Sequence, residues 1–166
     1  MTDLDERAAR VQLVVFDVDG VFTDGRLYYS AAGEALKAFH VRDGHGIKLL
    51  LKHGIQAAVI SGRNSPAVTR RMQELGIQHV FQGDDDKLPI LEQLLQKLGL
   101  RTEQTACVGD DLVDLPLLAA AGLAIAVADA QPEVRARAHL VTNARGGEGA
   151  VREVCDLILA MRNPNG

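Results

Sequence analysis

Short apolar runs rich in β-branched residues recur along this chain, separated by stretches with helical periodicity, and few architectures accommodate that rhythm. The runs are VQLVVF, IQAAVIS, IQHVF, TACVGD, LAIAVA and HLVT; between them lie GIKLLLKHG, a segment from about Pro66 to Leu75, LPILEQLLQKLG and LPLLAAAG, and a helix follows HLVT. Strands that alternate with helices build a mostly parallel sheet covered on both faces, so the expected fold is α/β, Rossmann-like and doubly wound. The punctuation agrees. Ser65-Pro66 reads as an N-cap followed by proline at the first helical position, and Gly54, Gly76, Gly99 and Gly122 each follow a helix where a left-handed residue is favoured.

One segment breaks the rhythm. RLYYSAAGEALKAF, Arg26 to Phe39, alternates with period two around a turn at Ala32-Gly33, which predicts a β-hairpin extending from the sheet after the first strand. A lone two-stranded ribbon is marginal in water, so Leu27, Tyr29, Leu36 and Phe39 are expected to pack on another subunit.

Composition bounds the rest. With 166 residues, 47% hydrophobic and 24% charged, residues 1–166 are expected to form a single soluble domain. A net charge of -4, scattered Lys and Arg and 4% aromatics give no nucleic-acid face. No apolar run approaches the about 20 residues that span a bilayer, and MTDLDERAAR is too acidic and polar for a secretory signal, so a cytoplasmic protein with no membrane partner is expected. Cys107 and Cys155 lie far apart without metal-type spacing and read as buried, reduced thiols.

In open α/β sheets ligands collect beyond the carboxyl ends of the strands, so polar residues directly after apolar runs are the candidates. Asp17 and Asp19 follow the first strand, Ser61-Gly62-Arg63 the second, Lys87 lies beyond the third, and Gly109-Asp110-Asp111 follows the fourth. On an extended chain Asp17 and Asp19 project to one side about 6 to 7 Å apart. Carboxylates that close, with Asp110 and Asp111 added, repel unless a cation intervenes, and an all-oxygen ligand set suits a hard ion such as Mg²⁺. Lys87 and Ser61 would then offer a cation and a hydroxyl donor to a phosphoryl group.

Each piece has a plainer reading on its own. Asp17-Val18-Asp19-Gly20 is as good a turn as a site, Asp84-Asp85-Asp86 reads as a solvated loop with Asp86 as N-cap, and Lys87, Ser61 or Gly109-Asp110-Asp111 alone would be surface or helix-start residues. Their joint occurrence, each at a strand's end, points to phosphoryl transfer.

These residues resemble the motifs of the haloacid dehalogenase (HAD) superfamily of aspartyl phosphatases. The first motif, DxDGxxT, stands as Asp17-Val18-Asp19-Gly20-Val21-Phe22-Thr23; the second falls on Ser61, the third on Lys87, and the fourth on Asp110 and Asp111. The resemblance covers almost the whole chain. It implies that Asp17 is nucleophile and metal ligand, that Asp19 is the acid/base whose main-chain carbonyl also binds Mg²⁺, and that Asp110 completes the protein ligands. No insertion large enough for a cap domain interrupts the chain, which is similar to the capless branch, where a homotetramer closes its own sites.

The stretches DVDGVFTDG, GEALKAFHVRDGHGIKLL, ISGRNSPAVTRRMQELGI, VGDDLVDLP and GGEGAVREVCDLIL resemble, within that branch, the phosphatases of 3-deoxy-D-manno-octulosonate 8-phosphate, a substrate of lipopolysaccharide core-sugar synthesis. The resemblance implies a sugar acid phosphate as substrate, held by Asp19, His40, Val41, Arg42, Asp43, Gly44, Lys48, Arg63, Arg71 and Lys87. Bidentate arginines are natural partners for its carboxylate and phosphate, although the sequence alone would leave Arg71 an exposed helix residue. The chain departs from the family at Glu148, where an arginine is frequent, and the adjoining Gly146-Gly147 reads as a hinge. Three alternatives remain: a nine-carbon sugar acid phosphate of the sialic acid type as substrate, a non-catalytic scaffold assembled through the hairpin, and a receiver-type phosphoacceptor signalling domain. The last is disfavoured because its phosphorylated aspartate follows a later strand.

Overall fold

Leu13, Val14, Val15 and Phe16 are all buried because the strand they form has helices on both sides, which is why its sequence is continuously apolar. The computed structural model describes residues 2–162. Along the chain come α1 (Asp3–Arg10), β1 (Leu13–Phe16), β2 (Tyr28–Ser30), β3 (Gly33–Leu36), α2 (Val41–Lys52), β4 (Gln56–Ser61), α3 (Pro66–Leu75), β5 (His79–Gln82), α4 (Lys87–Leu98), β6 (Thr105–Gly109), α5 (Leu115–Ala120), β7 (Leu123–Ala126), α6 (Pro132–Arg137), β8 (Leu140–Val141) and α7 (Ala150–Arg162). Among the described residues one sheet runs in the order β5-β4-β1-β6-β7-β8, every pairing parallel. The expected doubly wound α/β fold is therefore present.

Strand alternation splits the core in two. Val14, Phe16, Ala57, Val59 and Val108 face Ile47, Leu50, Met72, Val154 and Ile158 on one side, while Leu13, Val15, Ala58, Ile60 and Cys107 face Leu91, Leu94, Leu95 and Leu117 on the other. Each Val, Leu, Ile, Phe or Met side chain among them contributes about 1.5–3 kcal/mol on burial. The chain begins the sheet at β1, winds outward through β4 and β5, and returns to β6 on the opposite flank of β1. The order therefore reverses between β1 and β6, and a crevice opens at their carboxyl ends.

Asp3–Arg10, for which the sequence suggested no element, form α1: Thr2 and Asp5 exchange capping hydrogen bonds, acidic residues fill its first turn and basic ones its last, and Ala8 is buried. Two local expectations need correction. Gly122 is not a left-handed cap, unlike Gly54, Gly76 and Gly99; it is the place where the backbone passes so close to Glu103 that a side chain would collide. The hairpin forms as β2 and β3, antiparallel, with a register shift at Tyr28/Tyr29. Leu27, Tyr29 and Leu36 on it are exposed, but Phe39 turns inward and packs against the core of its own chain. Among the described residues no helix is long and apolar enough to cross a membrane.

Candidate functional site

The crevice between β1 and β6 is lined by charged side chains that the sheet holds in place. The N–H of Asp17, the residue after β1, donates to Val108 O at 3.1 Å and so extends the β1–β6 ladder by one residue. That fixes its carboxylate, whose Oδ1 accepts from the Val18 N–H at 2.8 Å and meets Lys87 Nζ at 3.0 Å. Lys87, the first residue of α4, is buried along its length and also donates to Asp114 Oδ1 at 2.7 Å. Asp114 Oδ2 in turn accepts from the N–H groups of Asp110 and Asp111, at 3.0 and 3.3 Å. One lysine and one aspartate thereby tie the ends of β1 and β6 to the start of α4. Asp114 received no role from the sequence, although its place three residues after Asp111 in VGDDLVDLP was the available signal.

Carboxylate oxygens of Asp17, Asp110 and Asp114 all lie within 4.8 Å of one another. Burial and then the neighbouring Asp114 charge push Asp17 up to about 6, against the pull of Lys87; burial, then Asp17 and Asp114, push Asp110 up to about 9. For Lys87 burial works against the charge, but Asp17 and Asp114 overcome it and hold its pKa above the ordinary lysine value. Asp110 Oδ1 is buried and, among the described residues, has no hydrogen-bond partner. Gly20, at φ +90°, sits so close beneath Asp110 that any side chain there would strike the carboxylate. Converging oxygens, excess negative charge and an orphaned acceptor fit a hard divalent cation held by Asp17 and Asp110.

A depression of about 150 Å³ at this crevice is lined by Asp17, Asp19, Ser61, Gly62, Arg63, Asp85, Lys87, Asp110, Asp111 and Val113. The four loops singled out in the sequence do converge. Asp85, read as part of a solvated loop, stands on this rim, while Asp86 occupies the N-cap of α4 without a side-chain bond. A larger groove of about 780 Å³ runs along α3 past Ser65, Thr69 and Gln82, but its charged residues Arg70 and Glu74 pair with one another. The chemistry places the site in the smaller one.

Asp19 is held differently from Asp17. Its Oδ1 accepts from Lys37 Nζ at 2.6 Å, and its Oδ2 lies 3.8 Å from Arg63 Nε. Lys37 follows β3 and meets Glu34 Oε2 at 3.1 Å; Ser65 Oγ donates to Glu34 Oε1 at 2.7 Å. Neither Lys37 nor Glu34 was singled out from the sequence, where both are polar positions in an alternating ribbon.

The remaining candidates gather elsewhere. His40 caps α2, its Nδ1 accepting from the Arg42 N–H, and Val41, Arg42 and Lys48 are exposed. Asp43 is buried and accepts from the Arg152 N–H at 2.9 Å, thus fastening the start of α7. Gly44 lies under the Arg71 guanidinium, which pairs with Glu74 at 3.6 Å. None of these seven lines the depression of its own chain. Gly146-Gly147 is no hinge: Gly147 N donates to Val21 O at 3.0 Å, Gly146 N to Asp129 Oδ1 at 3.0 Å, and side chains at either would collide with the Gly20–Asp24 backbone. Burial raises both cysteine thiols, which lie inside the core, unpaired and inert.

Known proteins resemble this chain in sequence and fold. Residues 79–154 match the haloacid dehalogenase-like hydrolase family. The 3-deoxy-D-manno-octulosonate 8-phosphate phosphatase of Yersinia pestis is 50% identical over 157 residues, 95% of this chain and 84% of that protein. Among solved structures, the same-named enzyme of Moraxella catarrhalis, in complex with a magnesium ion, a phosphate ion and a KDO molecule, superposes with a TM-score of 0.95 at 44% identity, covering 98% of this chain and 94% of that one. A cobalt-bound form of the corresponding phosphatase from Haemophilus influenzae gives a TM-score of 0.92 at 48% identity over 95% and 92% of the two chains.

Proposed function

The chain belongs to the haloacid dehalogenase-like hydrolases, in the family of the 3-deoxy-D-manno-octulosonate 8-phosphate phosphatases, and we propose that it hydrolyses that ester to the free sugar acid and phosphate with Asp17 as nucleophile. The observation that carries this is the buried Lys87 shared by Asp17 and Asp114 at the point where the strand order reverses. Lys87 keeps Asp17 ionised and aimed despite its burial, and places a positive charge where phosphoryl oxygens arrive. A carboxylate oxygen of Asp17 attacks phosphorus, forming an acyl phosphate while the sugar oxygen leaves with a proton from Asp19. Water then attacks the same phosphorus, Asp19 takes its proton, and the Asp17–phosphorus bond breaks. Ser61, buried at the end of β4, is the hydroxyl donor to the transferring group.

Mg²⁺ fits the carboxylates of Asp17 and Asp110, with the main-chain carbonyl of Asp19 as a further ligand, and would neutralise charge on the phosphoryl oxygens. Asp114 is better placed to position Lys87 and the β6 loop than to hold the ion.

The depression, about 150 Å³, is smaller than the about 300–1,000 Å³ of a typical small-molecule pocket, so it takes the phosphoryl end and leaves the sugar outside. That size, together with the exposed Leu27, Tyr29 and Leu36, supports a homotetramer in which a neighbour covers the sugar. The substrate-binding group Asp19, Arg63 and Lys87 acts within one chain; His40, Val41, Arg42, Asp43, Gly44, Lys48 and Arg71 then belong to the surface a neighbour would offer or order. We take residues 1–166 as one catalytic domain working in the cytoplasm, a reducing compartment that suits two unpaired thiols, on the route to lipopolysaccharide.

Phosphate release tests the reading, with Mg²⁺ or chelator, from 3-deoxy-D-manno-octulosonate 8-phosphate, a nine-carbon sialic acid phosphate and a generic ester, with Asp17→Asn as blank. Metal-dependent preference for the eight-carbon ester is expected. Equal and poor cleavage of all three would remove the substrate assignment and leave the aspartyl chemistry standing.

A further inference from the structure

Among the charged groups around the crevice, Lys37 is the one whose burial the reaction as written does not explain. Its side chain is 1% exposed, as inaccessible as that of Lys87, yet it comes from a two-stranded ribbon whose Leu27, Tyr28, Tyr29 and Leu36 face solvent. A lysine is hidden to that degree only when its charge is matched, and here two carboxylates match it: Asp19 Oδ1 at 2.6 Å and Glu34 Oε2 at 3.1 Å. Glu34 is braced from the far side by Ser65 Oγ at 2.7 Å and by the Arg63 guanidinium at 3.5 Å. The loop after β1, the second strand of the hairpin and the loop after β4 are thus fastened together through Asp19, Lys37, Glu34, Arg63 and Ser65.

We propose that Lys37 is a positioning residue for Asp19, so that the hairpin, beyond any part in assembly, sets the geometry of proton transfer to the leaving oxygen. This rests on the acid/base reading of Asp19 given above. Asp19 sits on a loop, partly exposed, and is free to rotate unless something holds it. Lys37 occupies Oδ1 and leaves Oδ2 as the oxygen that exchanges a proton with the sugar oxygen and then with water. Lys37 does not line the depression, and its ammonium is taken up by Asp19 and Glu34, so it acts through Asp19.

Leaving groups discriminate this from a merely structural role. An alkoxide such as the sugar oxygen must be protonated as it departs, whereas a nitrophenolate departs without help. Lys37→Met should lower kcat on the sugar acid phosphate by about 10²-fold, the scale of a misplaced catalytic group, with KM nearly unchanged and with a much smaller loss on p-nitrophenyl phosphate. Lys37→Arg, which keeps the charge, should recover most of that loss, and Lys37→Met should add little in an Asp19→Asn background. Equal losses on the two esters, or a raised KM with kcat intact, overturn the positioning role. Should Lys37→Met not fold, Glu34→Gln loosens the same clasp and must show the same dependence on the leaving group in smaller measure; its absence also overturns the role. A wild-type protein with no metal-dependent hydrolysis of either ester would instead remove the phosphatase reading itself, and the role of Lys37 with it.

Discussion

The rim of the sheet and the hairpin both supply charges to one small depression, but they hold them by opposite means. Asp17 continues the central strand, with its N–H in the ladder and its carboxylate bridged by Lys87, and the loop behind it is close-packed, Gly20 against Asp110 and Gly146 against Gly20, without room for a methyl group at either. The hairpin has no such backing: Leu27, Tyr29 and Leu36 face outward, and the ribbon reaches the site through the ion pairs of Lys37 and Glu34. The difference matches the tasks proposed for Asp17 and Asp19. A nucleophile must meet phosphorus in one geometry, whereas an acid that becomes a base must serve two steps, and a reversible ion-pair clasp can hold it through both.

The comparison breaks most visibly at Asp17. Asp17→Asn can neither attack nor balance a cation, and turnover should fall by roughly 10³-fold or more with the melting temperature nearly kept; phosphate release with a parallel melt checks both. Lys87→Met should strike stability as well, because Asp17 and Asp114 would be left buried without their counter-charge. A loss of about 3–5 kcal/mol is expected, against well under that for Lys37→Met, whose partners are partly exposed. Denaturant titration of the two variants reads the contrast, and equal losses would erase the distinction between the two regions.

Smaller effects follow from charge and from surface. In chelator, the folded state holds protons on Asp17 and Asp110 more tightly than the unfolded chain, because burial and neighbouring carboxylates, Asp114 for both and Asp17 for Asp110, raise their values to about 6 and about 9 from 3.8. A raised folded-state pKa gives stability that is complete below about pH 4 and drains away as pH climbs through about 6 and towards about 9. Mg²⁺ should flatten that decline by replacing the protons, so melting curves at pH 5 and 9, with and without the ion, should differ mainly at pH 9; stability rising with pH in chelator would contradict it. Least of all, Leu27→Asp with Leu36→Asp should split the proposed tetramer while moving the single chain's stability by no more than about 0.5 kcal/mol. Light scattering decides, and a wild type that never exceeds one chain's mass would remove the tetramer.

Sequence periodicity sufficed for the sheet, since six apolar runs with helical intervals admit few arrangements, and for bringing Asp17, Asp19, Ser61, Lys87 and Asp110 to one depression, since position after a strand is itself the signal. It missed what depends on contacts across the chain. Asp114 resembles an ordinary helix-start aspartate until Lys87, 27 residues away in sequence, is seen bonded to it. Lys37 is one polar position in an alternating strand, and its partner Asp19 lies 18 residues back. Gly146-Gly147 suggested mobility by composition, whereas the close approach of another backbone is what its lack of side chains serves. Phe39 belonged to the ribbon's pattern but not to its surface, because the alternation ends where the chain turns towards α2.

The hydrogen bond from the Asp17 N–H to Val108 O also makes the proposed nucleophile a timekeeper. Flanked by β4 and β6 in the middle of the sheet, that amide can trade its proton for deuterium only when the whole sheet comes apart, while the amides of the hairpin can open on their own. Deuterium labelling would therefore mark the two sides of the same depression at opposite ends of the exchange scale, and the site would be seen to combine the slowest backbone in the molecule with some of its fastest.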